Sequence, residues 1–92
     1  MINGYRILRI DKELPFPTRK TEYSSGLDLY SAIDTVIAPN TLEKIPTGIK
    51  MIIPAGYEVQ IRPRSGLAYK SQLTILNTPG TIDADYRGEI CV

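Results

Sequence analysis

Apolar and polar positions alternate with a period of two along much of this chain, and no long stretch carries the 3.6 period of an amphipathic helix. The clearest case is Tyr57-Glu58-Val59-Gln60-Ile61-Arg62, where three apolar residues alternate with three polar ones. Such a strand buries one face and wets the other. Leu27-Asp28-Leu29-Tyr30-Ser31-Ala32 alternates in the same way and predicts a strand with Leu27 and Leu29 on one face and Asp28 and Tyr30 on the other. Residues 4–10 mix β-formers with two arginines and predict a first strand. Thr35-Val36-Ile37-Ala38, residues 41–45, residues 48–53 and Leu73-Thr74-Ile75-Leu76 are further strand candidates, and Glu89-Ile90-Cys91-Val92 begins a last one.

Proline and glycine punctuate these runs. Pro15 and Pro17 make residues 11–20 an extended loop, and Pro46 separates two of the strand candidates. Ser24-Ser25-Gly26, Pro39-Asn40, Pro54-Ala55-Gly56, Pro63-Arg64-Ser65-Gly66 and Asn77-Thr78-Pro79-Gly80 mark turns. Leu67-Ala68-Tyr69-Lys70 has room for one helical turn. Short strands at fairly regular spacing predict an all-β fold, sandwich or barrel. Residues 1–92 form one domain, with no repeat and no internal boundary. The chain stops inside an apolar run, Ile90-Cys91-Val92, where a loose polar end is usual, so the expectation is that sequence is missing downstream.

Composition narrows the chemistry. Eleven Lys and Arg against ten Asp and Glu leave a formal charge of +1, without the basic surplus of a dedicated nucleic-acid binder. There is no histidine, so the commonest general base and metal ligand are both absent. Catalysis must then use carboxylates, and any metal is a hard cation held by oxygen. A single cysteine, Cys91, permits no intrachain disulfide and points to an intracellular, cytoplasmic protein. Without a His partner it reads as a small buried apolar residue. No stretch is long and apolar enough for a signal peptide or a membrane span.

Three polar groups stand out. Asp28 places a carboxylate beside a glycine-bearing turn, where it is either a wet-face residue or part of a site. Arg64-Ser65-Gly66 lies where a strand turns into a possible helix start. A guanidinium beside exposed N–H groups suits phosphate oxygens, while a simple turn with Ser65 as N-cap needs no ligand, and the two readings are compatible. Residues 79–89, Pro-Gly-Thr-Ile-Asp-Ala-Asp-Tyr-Arg-Gly-Glu, form either a polar hairpin loop or a site. In the second case Asp83 orients a water as general base, and Tyr86 packs its face on a sugar or base, a contact worth about 1–3 kcal/mol. With Asn77 in the preceding turn, the groups together point to a nucleotide.

The strings Ser25-Gly26-Leu27-Asp28-Leu29-Tyr30-Ser31-Ala32, Pro63-Arg64-Ser65-Gly66-Leu67-Ala68 and Gly80-Thr81-Ile82-Asp83-Ala84-Asp85-Tyr86-Arg87-Gly88-Glu89 resemble the first three of five motifs of trimeric dUTP pyrophosphatases. They occur in the family's order, and the resemblance runs over nearly the whole chain. It implies a jelly-roll-like β fold, sandwich or barrel, a homotrimer with sites between subunits, and hydrolysis of dUTP to dUMP and pyrophosphate with Mg2+ held largely by the triphosphate. By position, Asp83 activates the attacking water and contacts the deoxyribose, and Tyr86 stacks beneath that sugar and excludes a 2′-hydroxyl. Arg64, Ser65 and Gly66 take phosphate oxygens, Asn77 and the backbone of Thr81 and Ile82 line the uracil pocket, and Asp28 supports the metal through water. The family's fourth and fifth motifs do not occur in these 92 residues, so the chain is expected to correspond to the first two-thirds of a family member. Two alternatives stand beside the hydrolase: a non-catalytic nucleotide-binding or interaction module of the same fold, and the related dCTP deaminase, which the Asp83-Ala84-Asp85-Tyr86 string resembles less.

Overall fold

A computed structural model describes residues 4–92 and is all-β apart from one short helix. The central strand is β2, Pro46–Ile52, flanked by β1, Arg6–Arg9, and β5, Glu89–Cys91, in an antiparallel sheet of order β1-β2-β5. A second antiparallel pair joins β3, Val59–Ile61, to β4, Gly80–Ile82. Between β3 and β4 lies α1, Ser65–Ser71.

The core follows from the alternation along β2. Thr47, Ile49, Met51 and, just past the strand, Ile53 all point inward, while Lys50 is exposed. They meet Ile90 of β5, which is 1% exposed, and Ile7, Leu29, Val59, Ile61, Ile82 and Ala84 pack around that cluster. The one buried polar side chain among the described residues, Thr47, is satisfied because its hydroxyl donates to the Ile90 carbonyl. An open groove of about 1140 Å³ runs beside this core, lined by Met51, Ile53, Val59, Ile61 and Ile90 among others.

The Pro-rich loop is tied down by its neighbours. The Arg9 guanidinium lies 4.1 Å from the centre of the Phe16 ring and donates to the Lys12 and Leu14 carbonyls. Leu14 thereby tucks against Gly48, whose φ of +72° lies in the left-handed region that favours glycine.

Several strand expectations hold with shorter bounds. The first strand covers 6–9, the cleanest alternation leaves only 59–61 in a ladder, and the last strand covers 89–91. Pro46 opens β2 and does not interrupt it. Proline at the first residue of a strand sacrifices no interior N–H, and the Pro46 carbonyl still accepts the N–H of Ala32. Residues 27–32 form no strand: they contribute one bridge, Thr18 to Asp28, and Leu27 is exposed beside half-buried Leu29. Residues 35–38, 41–44 and 73–76 are irregular, and Val36, Leu42 and Leu76 are largely exposed. Their composition favours a strand, but a strand needs a partner, and the described residues supply none there. Only Ile45 pairs, exchanging two backbone hydrogen bonds with Val92. Cys91 is half-buried, less enclosed than its type predicts.

Candidate functional site

A polar depression of about 710 Å³ lies where the end of β3 turns into α1. Asp28, Arg64, Ser65 and Gly66 all line it, so residues from two distant parts of the sequence share one hollow. The N–H of Asp28 donates to Thr18 at 2.8 Å, which holds this carboxylate against the Pro-rich loop. Arg64 is the N-cap of α1 in extended conformation and makes no side-chain capping bond. Ser65 therefore stands inside the first turn, not at the cap, and the expected N-capping serine is replaced by an uncapped helix start. Two guanidinium-bearing residues, Arg62 and Arg64, face one carboxylate, Asp28, around the hollow, a balance that favours an anion.

Asp28 and Arg64 also line the apolar groove, as does Asn77. Asn77 packs against Gly80: a Cβ built on that glycine comes 3.4 Å from the Asn77 amide nitrogen. Thr81 and Ile82 pair with Gln60 and Val59, and the other edge of β4 carries no strand among the described residues. Outward backbone groups of β4 are thus available to a ligand with a hydrogen-bonding edge.

The segment 83–88 runs from β4 of one sheet to β5 of the other, so it is a crossing, not a hairpin loop. Ile82 and Ala84 pack on the core, which turns Asp83 outward between them. The turn is closed by the Tyr86 N–H donating to the Asp83 carbonyl at 3.1 Å, and by Arg87 donating to the carbonyls of Ala84 and Tyr86. Tyr86 is 43% exposed, and its hydroxyl donates to the Glu89 carbonyl at 2.7 Å.

Asp83 and Tyr86 line neither hollow. The register gives the reason: Ile61 pairs with Gly80 and Val59 with Ile82, so Arg64 follows one end of the β3–β4 pair and Asp83 follows the other. The predicted residues thus fall into two groups on one chain. Among the described residues no group of three carboxylate, histidine or cysteine side chains is placed to hold a metal ion by itself.

Gln60 and Arg62 also line the polar depression and were not singled out from the sequence. The signal was present in the alternation, which puts 60 and 62 on the same wet face leading into Arg64.

Comparison with known proteins fits this layout. The deoxyuridine 5'-triphosphate nucleotidohydrolase of Ehrlichia canis is 62% identical over 81 residues, covering 86% of this chain and 53% of that protein. That of Corynebacterium jeikeium is 55% identical over 87 residues, covering 95% and 56%. The dUTPase of Staphylococcus bacteriophage 80alpha superposes with a TM-score of 0.86 at 31% identity, over 98% of this chain and 57% of that one. A variant of the same phage enzyme, solved with dUpNHpp, superposes with a TM-score of 0.87 at 31% identity, over 98% and 52%. A point mutant of the dUTPase from phage phi11 of S. aureus, whose structure reveals the coordination of a structural Mg(II) ion, gives 0.86 at 30% identity, over 97% and 57%. The chain spans about half the length of the curated relatives it matches. The dUTPase family model matches residues 12–92, and the chain belongs to the dUTPase family.

Proposed function

We propose that this protein hydrolyses dUTP to dUMP and pyrophosphate, acting in the cytoplasm through a β domain that includes residues 1–92. The observation that carries the reading is the gathering of Asp28, Arg64, Ser65 and Gly66 around one anion-suited hollow. In this reading Arg64, with Ser65 and the Gly66 backbone, takes the phosphate oxygens. Asn77 and the open backbone edge at Thr81 and Ile82 meet the uracil. A wrong base then leaves buried polar groups unpaired, which discriminates strongly.

Asp83 accepts the proton of the attacking water as its oxygen bonds to phosphorus, and the pyrophosphate oxygen leaves with the electron pair. Tyr86 stacks beneath the deoxyribose and leaves no room for a 2′-hydroxyl. Mg2+ fits the donor set as a substrate-borne ion: Asp28 is the one carboxylate lining the hollow and would hold it through water. When bound, such an ion neutralises triphosphate charge.

Asp83 and Arg64 lie at opposite ends of the β3–β4 pair. As the motif resemblance implies, we infer a homotrimer with each site shared between subunits, and the position of Asp83 and Arg64 at opposite ends of that pair is compatible with their coming from different copies. The test is pyrophosphate release from dUTP with Mg2+, with dCTP as a control. Release from dUTP alone is expected; ammonia from dCTP, or inertness toward both, overturns the reading. The same separation of Asp83 from the hollow favours one second reading, a nucleotide-binding module without turnover, which dUMP binding in the absence of any hydrolysis would establish.

A further inference from the structure

Gly88 lies against the hydroxyl end of the Tyr86 ring. A Cβ built on it would stand 2.6 Å from the Tyr86 hydroxyl oxygen, 2.8 Å from Cζ and 3.2 Å from Cε1, and all three nearest atoms belong to that one ring. The ring is therefore folded back along its own chain onto a residue that offers no side chain. Its hydroxyl is fixed at the same time, donating to the Glu89 carbonyl at 2.7 Å. Glu89 does not drift: its carboxylate accepts the Gly48 N–H at 2.9 Å, and the next residue, Ile90, is 1% exposed. The rest of the ring stays open, and Tyr86 is 43% exposed.

We propose that Gly88 is a positioning residue that sets the tilt of the Tyr86 ring and, through it, the preference for 2′-deoxy over 2′-hydroxy nucleotides. The inference deepens the proposed function and rests on Tyr86 meeting the sugar. Any side chain at 88 forces the ring off its seat, because a ring cannot share space with a Cβ at 2.6 Å. The displaced group is a half-exposed side chain and not backbone, and Gly88 does not use a positive φ, so alanine there shifts the ring without unfolding the domain. A residue that only maintained the fold would change stability and leave sugar preference untouched.

The experiment compares Gly88→Ala and Tyr86→Phe with wild type in the full-length protein. It measures affinities for the non-hydrolysable dUpNHpp and its ribose counterpart, and the thermal midpoint of each variant. Tyr86→Phe keeps the ring and removes only its tether to Glu89. Gly88→Ala is expected to cut the deoxy-over-ribo affinity ratio at least tenfold with little change in midpoint, and Tyr86→Phe to cut it by less. A Gly88→Ala protein that keeps the wild-type ratio overturns the positioning role alone. If Gly88→Ala fails to fold, the double variant Gly88→Ala/Tyr86→Phe, which removes the atom nearest the added Cβ, is compared with Tyr86→Phe, and equal ratios in those two overturn the positioning role instead. A wild type with no sugar preference overturns the reading of Tyr86, and this proposal with it.

Discussion

The carboxylate of Glu89 accepts the backbone N–H of Gly48 at 2.9 Å, across the seam where the β2–β5 register shifts between Pro46 and Lys50. A register shift leaves backbone groups without ladder partners, and here a side chain from the opposite strand supplies the missing acceptor. Gly48 is buried, so its N–H has no water to fall back on. Glu89→Ala is expected to cost about 1–3 kcal/mol, the desolvation of an orphaned donor. Glu89→Gln keeps a carbonyl oxygen in reach and should recover most of that. Urea unfolding of the three proteins decides the matter; equal midpoints for Ala and Gln would assign the loss to something other than this bond.

Gly48 is constrained from a second side. Its φ is +72°, and a Cβ there would come 2.7 Å from Leu14 Cδ1. Gly48→Ala combines left-handed strain of about 1–2 kcal/mol with the need to move Leu14. Moving Leu14 disturbs the loop that Arg9 pins through Phe16. The expected result is a destabilisation larger than the strain alone, together with faster proteolytic cleavage within residues 11–17. Wild-type cleavage rates in the variant would mean that the loop is held independently of Gly48.

The parts of this fold visible in the sequence are those with a self-contained signal. The centre of the alternation at 57–62, kept as β3 at 59–61, the turn residues at 39–40 and 54–56, the helical turn after Pro63 and the last strand, at 89–91, all appear. The losses share a cause. Residues 35–38 and 73–76 have strand composition and no strand partner, and pairing is a property of the whole chain. The site divides likewise. Residue types in the three motif strings identify what Asp28, Arg64 and Asp83 are suited to do. Their relative placement depends on the β3–β4 register, and no local pattern encodes that register. The bond from Glu89 to Gly48 spans 41 positions and is equally invisible before folding.

Ile90 is the most enclosed side chain of a very small core, at 1% exposure beside Ile49, Met51 and Ile53. It also joins the sheet to the segment that carries Asp83 and Tyr86, since β5 continues directly from residues 83–88. Ile90→Ala should cost about 2–5 kcal/mol, combining lost transfer energy with an unfilled cavity. In a domain of this size that is a large fraction of the total stability. Ile90→Val should cost about 0.5–1.5 kcal/mol. Chemical denaturation of both variants tests the assignment, and a loss below that of the valine variant for Ile90→Ala would show that the surrounding groove collapses to fill the space.

Asp83 offers the sharpest separation of chemistry from fold. Its side chain faces outward between Ile82 and Ala84, and only its backbone carbonyl takes part in the turn, accepting the Tyr86 N–H at 3.1 Å. Asp83→Asn preserves shape, leaves that bond in place and removes the carboxylate proposed to accept the proton. Stability should therefore be unchanged, and dUpNHpp should bind within about tenfold of wild type, roughly 1.4 kcal/mol. Turnover of dUTP should fall at least about a hundredfold, the lower end of what a positioned general base contributes. The contrast between the two numbers is the test. Binding that falls in step with turnover would make Asp83 a ligand-holding residue, and turnover that survives would place the base elsewhere among the carboxylates, with Asp85 the nearest along the chain.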